Sequence, residues 1–232
     1  MSTVPTEIEQ LQAEAETFSA AALVSFALKR FSPRIAIASS FGAEDVVLIH
    51  LAAQVRTDFR VFTLDTDFLF PETYALIEEI ERRYRIRVER SKSRLTPEAQ
   101  AERFGPALWS IQPDQCCNLR KVEPLTDKLR ELDAWITGIR RDQSPTRANA
   151  RKLEWDARFG LAKVNPLADW TWKQVWDYIR RHAIPYNPLH DQNYPSIGCT
   201  HCTRPVQAGE DPRAGRWSGF QKTECGLHVT RS

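Results

Sequence analysis

Four of the five cysteines in this 232-residue chain form two close pairs. Cys116 and Cys117 are adjacent, and Cys199 and Cys202 are separated by two residues. Adjacent cysteines rarely bond to each other, because the small ring would strain the disulfide geometry. Four thiolates from two distant segments can instead close a tetrahedral zinc site or hold an iron–sulfur cluster. The spacing therefore predicts a metal centre and leaves the metal open.

The fifth cysteine, Cys225, lies in the sequence Glu224-Cys225-Gly226-Leu227-His228 near the end of the chain. A thiol beside a glycine and close in sequence to an imidazole can become a reactive thiolate. Arg213 and Arg216 precede it and could neutralise an anionic substrate. We interpret Cys225 as a candidate nucleophile.

Two further segments have the composition of anion-binding loops. An apolar run at 34–38 leads into Ser39-Ser40-Phe41-Gly42-Ala43-Glu44-Asp45 and then into a helical pattern over 46–53. Such a turn presents backbone N–H groups and the positive end of a helix dipole to a phosphate or sulfate. The second segment, 138–147, contains Arg140, Arg141 and Arg147, whose guanidinium groups suit bidentate binding of the same anions.

The elements that must position these residues alternate along the chain. Apolar runs predict strands at 34–38, 61–65, 85–89 and 134–139, and helical spacing or caps predict helices over 6–31, 71–84, 118–132 and 172–182. This alternation indicates an α/β fold, a parallel sheet wound with crossover helices. Ligands bind beyond the C-terminal ends of such strands, so Asp65 and Thr66 are expected beside the 39–45 loop.

Composition excludes several classes of protein. With 42% hydrophobic and 27% charged residues, the chain is expected to fold around a substantial core. Its formal charge of +2 is too small to predict a nucleic-acid surface. We see no run of membrane-spanning length and no signal-peptide pattern, so we expect a cytoplasmic protein without a membrane partner. We predict one nucleotide-binding domain over 1–206 and a flexible tail over 207–232.

Five segments, taken in order, resemble the assimilatory adenylyl-sulfate (APS) reductases, a branch of the group that also contains the 3'-phosphoadenylyl-sulfate (PAPS) reductases. They are SSFGAED at 39–45, CC at 116–117 with RKVEPL at 120–125, RRDQSP at 140–145, IGCTHCT at 197–203 and ECGLH at 224–228. Three features depart from that family's common pattern. Asp67-Phe68 replaces a Gly-Arg pair, and His201 replaces a frequent proline. The aromatic run at 217–220 is reduced.

The resemblance implies an adenine-nucleotide α-hydrolase-like (Rossmann-like) fold and a 4Fe-4S cluster on Cys116, Cys117, Cys199 and Cys202. It also implies that Cys225 attacks the sulfur of adenylyl sulfate, expels AMP and becomes an S-sulfocysteine. Thioredoxin or a similar dithiol protein would then release sulfite.

The resemblance further implies which residues contact the substrate. Contacts to the phosphosulfate or the leaving phosphate would come from Lys121, Arg147, Arg213, Arg216 and His228. The loop of Ser39, Ser40, Phe41, Gly42, Ala43, Glu44 and Asp45 would wrap the same anion, and Leu64, Asp65 and Thr66 would lie near the nucleoside. Arg140 is a further substrate-binding candidate from the arginine segment.

Three alternatives stand beside this interpretation. The nearest is a reductase of the same mechanism that prefers PAPS or accepts both nucleotides. A second is an ATP-dependent thiolation or adenylation enzyme of the same fold, which would favour a glycine-richer pyrophosphate loop and a broader basic surface. The third is a zinc-stabilised binding module without enzymatic activity, which leaves Cys225 and the arginine segment unexplained. A homo-oligomer is compatible with each of them.

Overall fold

The computed structural model describes residues 4–220, 222, 226 and 227. The chain divides into two compact units. The described part of Met1–Thr63, together with Ile77–Glu89 and Leu129–Tyr186, forms unit 1. The described part of Leu64–Leu76, Arg90–Lys128 and Asn187–Ser232 forms unit 2.

Most of the six-stranded sheet formed by the described residues belongs to unit 1. Its strands are β1 (Ile35–Ala38), β2 (Arg60–Asp65), β3 (Val88–Lys92), β4 (Ala134–Ile136), β5 (Leu153–Asp156) and β6 (Leu161–Val164). Their spatial order is β3-β2-β1-β4-β6-β5. β1 pairs in parallel with β2 and β4, and β4 pairs in parallel with β6. β5 pairs with β6 in the antiparallel direction.

Helices accompany the strands along the chain. They are α1 (Val4–Thr17), α2 (Ala20–Phe31), α3 (Ala43–Val55), α4 (Pro71–Tyr84), α5 (Pro97–Phe104), α6 (Leu108–Ile111), α7 (Pro113–Cys117), α8 (Glu123–Leu129) and α9 (Trp172–Arg181). None of the helices in the described part of the chain is long and apolar enough to cross a membrane.

The core of unit 1 explains why a parallel sheet forms. β1 reads Ile-Ala-Ile-Ala, and its first three residues are almost fully buried. Such a strand, apolar on both faces, is typical of a central strand covered on both sides. α3 packs against α2 and α9 and is buried along nearly its whole length. The predicted α/β fold with a parallel sheet is therefore confirmed.

Several predicted boundaries were wrong for local reasons. The helix predicted over 6–31 is two helices, because Ser19 caps α2 by accepting a hydrogen bond from the Ala22 N–H at 3.2 Å. The third strand starts at Val88 instead of residue 85, since Arg85 adopts a positive φ of 54°. β5 and β6 were not predicted. The fourth strand ends at Ile136.

Unit 2 contains the helical region that carries Cys116 and Cys117. The helix predicted over 118–132 is instead a π-helical turn at Asn118–Val122 followed by α8. A π-helical turn inserts a residue into the helical ladder and occurs frequently at functional sites. Here it follows directly on α7, the helix that ends at Cys117. The predicted cap of α9 is confirmed, because the Thr171 hydroxyl accepts from the Gln174 N–H.

Candidate functional site

The loop at 39–45 connects β1 to the amino end of α3 in unit 1. The Ser39 N–H donates to the Phe62 carbonyl at 2.9 Å, which continues the strand pairing by one residue. The Ser39 hydroxyl accepts from the Phe41 N–H at 3.1 Å, and Phe41 is almost fully buried with a φ of 60°. A buried aromatic in this left-handed conformation turns the chain sharply into α3. The Ser39 hydroxyl and the buried Phe41 ring therefore fix the shape of the loop.

Asp45 holds the same loop from inside α3. Its carboxylate accepts from the Ser40 N–H at 2.6 Å and from the Ser40 hydroxyl at 2.9 Å. Burial and the nearby Glu44 raise the pKa of Asp45 to about 6, in spite of these hydrogen bonds. Asp45 is thus a buried acid that ties the turn to the helix.

Glu44 is neutralised by residues that follow β4. Its carboxylate accepts from Arg140 Nε at 2.8 Å and from the Gln143 side-chain amide at 2.9 Å. Arg140 is itself buried, and it also pairs with Asp142 and lies 5.3 Å from the centre of the Trp172 ring. Its guanidinium is thus held by protein groups. We interpret Arg140 as a residue that positions the 39–45 loop.

Gly138 permits this packing between β4 and α3. A Cβ at this position would lie 2.5 Å from Asp45 Oδ1 and 2.9 Å from Glu44 Cβ. Arg147 Nη1 donates to Gln143 Oε1 at 2.6 Å, so the arginine segment is joined to the same network. The structure therefore brings Ser39, Ser40, Phe41, Glu44, Asp45, Arg140 and Arg147 into one part of unit 1. Gly138 and Gln143 were not predicted as site residues, although both belong to the arginine segment.

The end of β2 has a polar network of its own in unit 2. Asp65 accepts from the Tyr74 hydroxyl at 2.7 Å and from the Asp67 N–H at 3.1 Å, and it pairs with Lys92 at 3.3 Å. Burial raises the pKa of Asp65, but these partners together outweigh it and leave the pKa below its usual value. Asp65 is therefore a fixed carboxylate. Tyr74 and Lys92 were not predicted, since no pattern links them to β2.

The four paired cysteines line one cavity in unit 2. Cys116 and Cys117 end α7. Cys199 immediately precedes a short 3-10 helix, Thr200–Cys202, and Cys202 is its last residue. Cys116, Cys117 and Cys199 are only 6–7% exposed. Burial, and then the neighbouring thiols, raise the pKa of Cys116 to about 12 and that of Cys202 to about 11. As free thiols, Cys116 and Cys202 therefore ionise only at high pH.

The second cysteine pair is held by backbone hydrogen bonds within unit 2. Thr200 N–H donates to the Phe68 carbonyl at 2.8 Å, and Leu69 forms a β-bridge with Cys199. The Thr66 hydroxyl lies 3.3 Å from Cys199 Sγ, within hydrogen-bond distance. Thr66 was predicted to lie near a nucleoside. In the structure its hydroxyl contacts the Cys199 sulfur.

Two basic side chains line the same cavity, Arg120 and Lys121 from the π-helical turn. Arg120 is 1% exposed and donates to Gln100 Oε1 at 2.8 Å and to the Thr66 carbonyl at 3.0 Å. Its Nη2 is buried without a hydrogen-bond partner among the described residues. An unpaired buried N–H is costly and calls for an acceptor. Four sulfur donors suit a metal centre, and the unpaired Arg120 N–H suits the negative charge that metal-bound thiolates carry.

No group of three or more His, Cys, Asp or Glu residues in the described part of the chain is arranged to hold a metal ion. A tetrahedral zinc with Zn–S bonds of about 2.3 Å would need its four sulfurs within about 4 Å of one another. In a four-iron cluster each cysteine binds a different iron, so the sulfurs are spread more widely. Four cysteine sulfurs are a donor set that both kinds of centre use.

Arg216 and Lys121 approach Trp217 in unit 2. The Arg216 guanidinium carbon lies 4.6 Å and Lys121 Nζ 6.0 Å from the centre of its ring. Arg216 also donates to the Ser196 hydroxyl at 3.1 Å, and Gly198 leaves the space that its guanidinium occupies. The Arg213 N–H donates to the Asp211 carboxylate at 2.7 Å. Cys225 and His228, the predicted nucleophile and its neighbour, lie outside the described residues.

The chain is similar to proteins of known name over most of its length. Residues 34–205 match the family model of the phosphoadenosine phosphosulfate reductase domain. Proteins named adenosine 5'-phosphosulfate reductase are 53% identical in Halalkalibacterium halodurans, over 89% of this chain and 90% of the relative, and 49% identical in Staphylococcus haemolyticus, over 96% and 92%. A phosphoadenylyl-sulfate (PAPS) reductase from Candida auris, solved as a phosphate complex, has a TM-score of 0.78 at 28% identity and covers 88% of this chain and 99% of that one.

Proposed function

The chain belongs to the phosphoadenosine phosphosulfate reductase domain family, and from this premise we propose that it reduces adenylyl sulfate to sulfite and AMP through Cys225. The family predicted from the five segments is thereby confirmed, as is its class, an oxidoreductase that acts on sulfur in sulfate assimilation. The observation that carries the choice of substrate is that the relatives with about half of their residues identical bear the adenosine 5'-phosphosulfate reductase name.

The proposed first step is nucleophilic. The Cys225 thiolate attacks the sulfur of the sulfate group, a sulfur–sulfur bond forms, and the bond from that sulfur to the bridging oxygen breaks. AMP leaves with the electron pair of that bond, and Cys225 becomes an S-sulfocysteine. The negative charge of the leaving phosphate requires nearby cations, and Lys121, Arg213, Arg216 and His228 are the proposed ones.

The proposed second step is a thiol exchange. One thiolate of thioredoxin or a similar dithiol protein attacks Cys225 Sγ, and sulfite leaves with the electron pair of the sulfur–sulfur bond. The second thiol of the partner then closes its own disulfide and releases the Cys225 thiolate. The dithiol is oxidised by two electrons, and the sulfur of the substrate is reduced by the same two.

We assign the binding of the substrate anion in unit 1 to the 39–45 loop and the amino end of α3. The first N–H groups of an α-helix have no acceptor within that helix and favour anions. Two carboxylates lie in the first turn, where Glu44 is paired with Arg140 and Asp45 accepts two hydrogen bonds from Ser40. In this proposal both acids shape the loop, while Arg147 contributes positive charge.

We propose that Cys116, Cys117, Cys199 and Cys202 hold a 4Fe-4S cluster. When bound, such a cluster supplies a local charge and a rigid crosslink between the two cysteine segments. The support is the four-sulfur cavity together with the unsatisfied Nη2 of Arg120. Thiols of the protein partner supply the electrons.

The decisive experiment is anaerobic incubation of the full-length protein with adenylyl sulfate, and separately with PAPS, followed by intact-mass and iron analysis. We expect a mass increase equal to one sulfite on the Cys225 peptide with adenylyl sulfate, in protein with about four irons per chain. An increase with both nucleotides would widen the specificity. No adduct with either nucleotide, in iron-loaded protein, would reject the mechanism and favour an ATP-dependent thiolation enzyme.

Two variants make the assignment of the cysteines specific. Cys225→Ser should abolish the adduct and keep the iron, whereas Cys199→Ser should lose the iron. Loss of iron in Cys225→Ser would contradict the assignment.

A further inference from the structure

Three aromatic rings line the same cavity as the four cysteines. Phe68 precedes the Leu69 bridge, Trp109 lies in α6, and His201 stands between Cys199 and Cys202. All three line that cavity, and all belong to unit 2. They approach it from three separate segments, so their meeting is a property of the tertiary structure. We call these rings the aromatic wall.

The geometry of the aromatic wall is well defined. The rings of Trp109 and His201 are stacked, with centroids 4.0 Å apart and planes 8° apart. Phe68 meets both edge-on, at 5.3 Å from Trp109 and 5.1 Å from His201. The Arg120 guanidinium carbon lies 4.6 Å from the centre of the Phe68 ring. Aromatic pairs at these distances stabilise each other beyond the apolar area they bury.

Burial distinguishes this wall from an ordinary core cluster. Phe68 and Trp109 are only half-buried, and His201 is exposed. Of the four cysteines in the cavity, Cys116, Cys117 and Cys199 are under 10% exposed, and Cys202 is half-buried. The three rings are therefore more exposed than three of the four thiols that line the same cavity. Rings in a core would show the opposite order of burial.

We propose that the aromatic wall is a shield that controls the access of oxidants and small electrophiles to Cys116, Cys117, Cys199 and Cys202. Displacement of the stacked His201 and Trp109 rings opens the cavity, and the thiols or any centre bound to them become reactive only in that open state. The inference that a cluster is protected rests on the proposed function, whereas the protection of the thiols does not.

The test compares full-length proteins purified anaerobically in a Cys225→Ser background, so that only the cavity thiols report. The variants are Trp109→Ala and His201→Ala, which remove the stack, and Trp109→Phe and His201→Phe, which keep a ring. Trp176→Ala is the matched control, because it removes a half-buried tryptophan that packs edge-on against Tyr186 in unit 1. Circular dichroism checks that each variant is folded.

Two rates are measured without nucleotide: alkylation of each cysteine by iodoacetamide, followed by peptide mass, and release of iron to a chelator in air. Both rates should rise about three- to tenfold in the alanine variants. Loss of one aromatic pair shifts the equilibrium between the closed and the open cavity by about this factor. The phenylalanine variants and Trp176→Ala should stay within about twofold of the parent.

Equal rates in His201→Ala and the parent would overturn the proposal, and this holds even if Trp109→Ala fails to fold, because His201 is an exposed side chain. Phenylalanine variants as reactive as the alanine variants would also overturn it. Failure of the proposed reductase activity would appear as a missing Cys225 adduct in the protein that retains Cys225 and would leave the alkylation result unaffected.

Discussion

At the scale of single residues, Asp45 is the least expected member of the candidate site. An ionised acid in the proposed anion-binding loop would repel the anion, and burial together with the nearby Glu44 raises the pKa of Asp45. Its pKa of about 6 in the folded chain exceeds the ordinary value of 3.8. A raised folded-state pKa means that Asp45 contributes stability at low pH, and this contribution is lost as the pH rises through about 6.

Asp45→Asn should reveal this pH dependence. Asparagine does not titrate and can still accept one hydrogen bond from Ser40. We expect the free energy of unfolding of the parent, minus that of the variant, to fall by about 3 kcal/mol between about pH 4 and pH 6 and then to level off. Urea unfolding of both proteins from pH 4 to pH 8 measures the difference. A difference that stays constant with pH would contradict the burial of a titrating Asp45.

At the scale of elements, the candidate loop depends on how closely β4 approaches α3. Gly138, just after β4, is the contact point, because a Cβ there would collide with Asp45 and Glu44. Neither carboxylate can move without losing its own partners, Ser40 or Arg140. The conformation of the loop is therefore set by the packing of two elements that are far apart in the chain.

Gly138→Ala is expected to cost about 1–3 kcal/mol of unfolding free energy, the usual penalty of overpacking. Gly42→Ala is the matched control, since its Cβ would meet Ser40 and Glu44 only at 3.6 and 3.7 Å, ordinary contact distances. The control should lose less than about 1 kcal/mol, because only the N-cap of α3 changes. Chemical unfolding at one pH compares them. Equal losses in the two variants would mean that β4 and α3 are not in close contact.

At the scale of the whole molecule, the regular structure in the described part of unit 2 is mostly short helices. A backbone hydrogen bond from Thr200 to Phe68 joins the second cysteine pair to the segment that follows β2. A metal centre bound only by the folded chain stabilises that chain by mass action. The proposed cluster should therefore have a structural role in addition to its charge.

Removal of iron should lower the thermal stability of the whole protein. We expect a chelator to reduce the melting temperature of the parent by about 5 °C or more. Cys199→Ser should melt at the lower temperature and show no further change with chelator. Cys225→Ser should behave like the parent. Calorimetry under anaerobic conditions measures all three, and a parent whose melting temperature ignores the chelator would reject a structural cluster.

The predictions from sequence succeeded where chemistry is local. Strand, loop and helix amino end follow one another at 35–55 as the pattern indicates, and Thr171 caps α9 as expected. They failed where local signals compete with packing. Ser19 divides a long helical pattern, and the π-helical turn at Asn118–Val122 cannot be read from hydrophobic spacing. β5 and β6 are strands of only four residues each, too short to stand out in the sequence.

The sequence by itself determined the reactive groups of this protein: two cysteine pairs, a separate Cys225, a small hydroxyl loop and an arginine segment, in an order specific enough to identify the family. Residue types and spacing carry that information because they define which chemistry is available. Only the tertiary structure decided the environment of those groups. Arg140 is held by Glu44, Asp45 titrates near pH 6, and Trp109 stacks on His201, because each depends on residues that only the folded chain brings into contact.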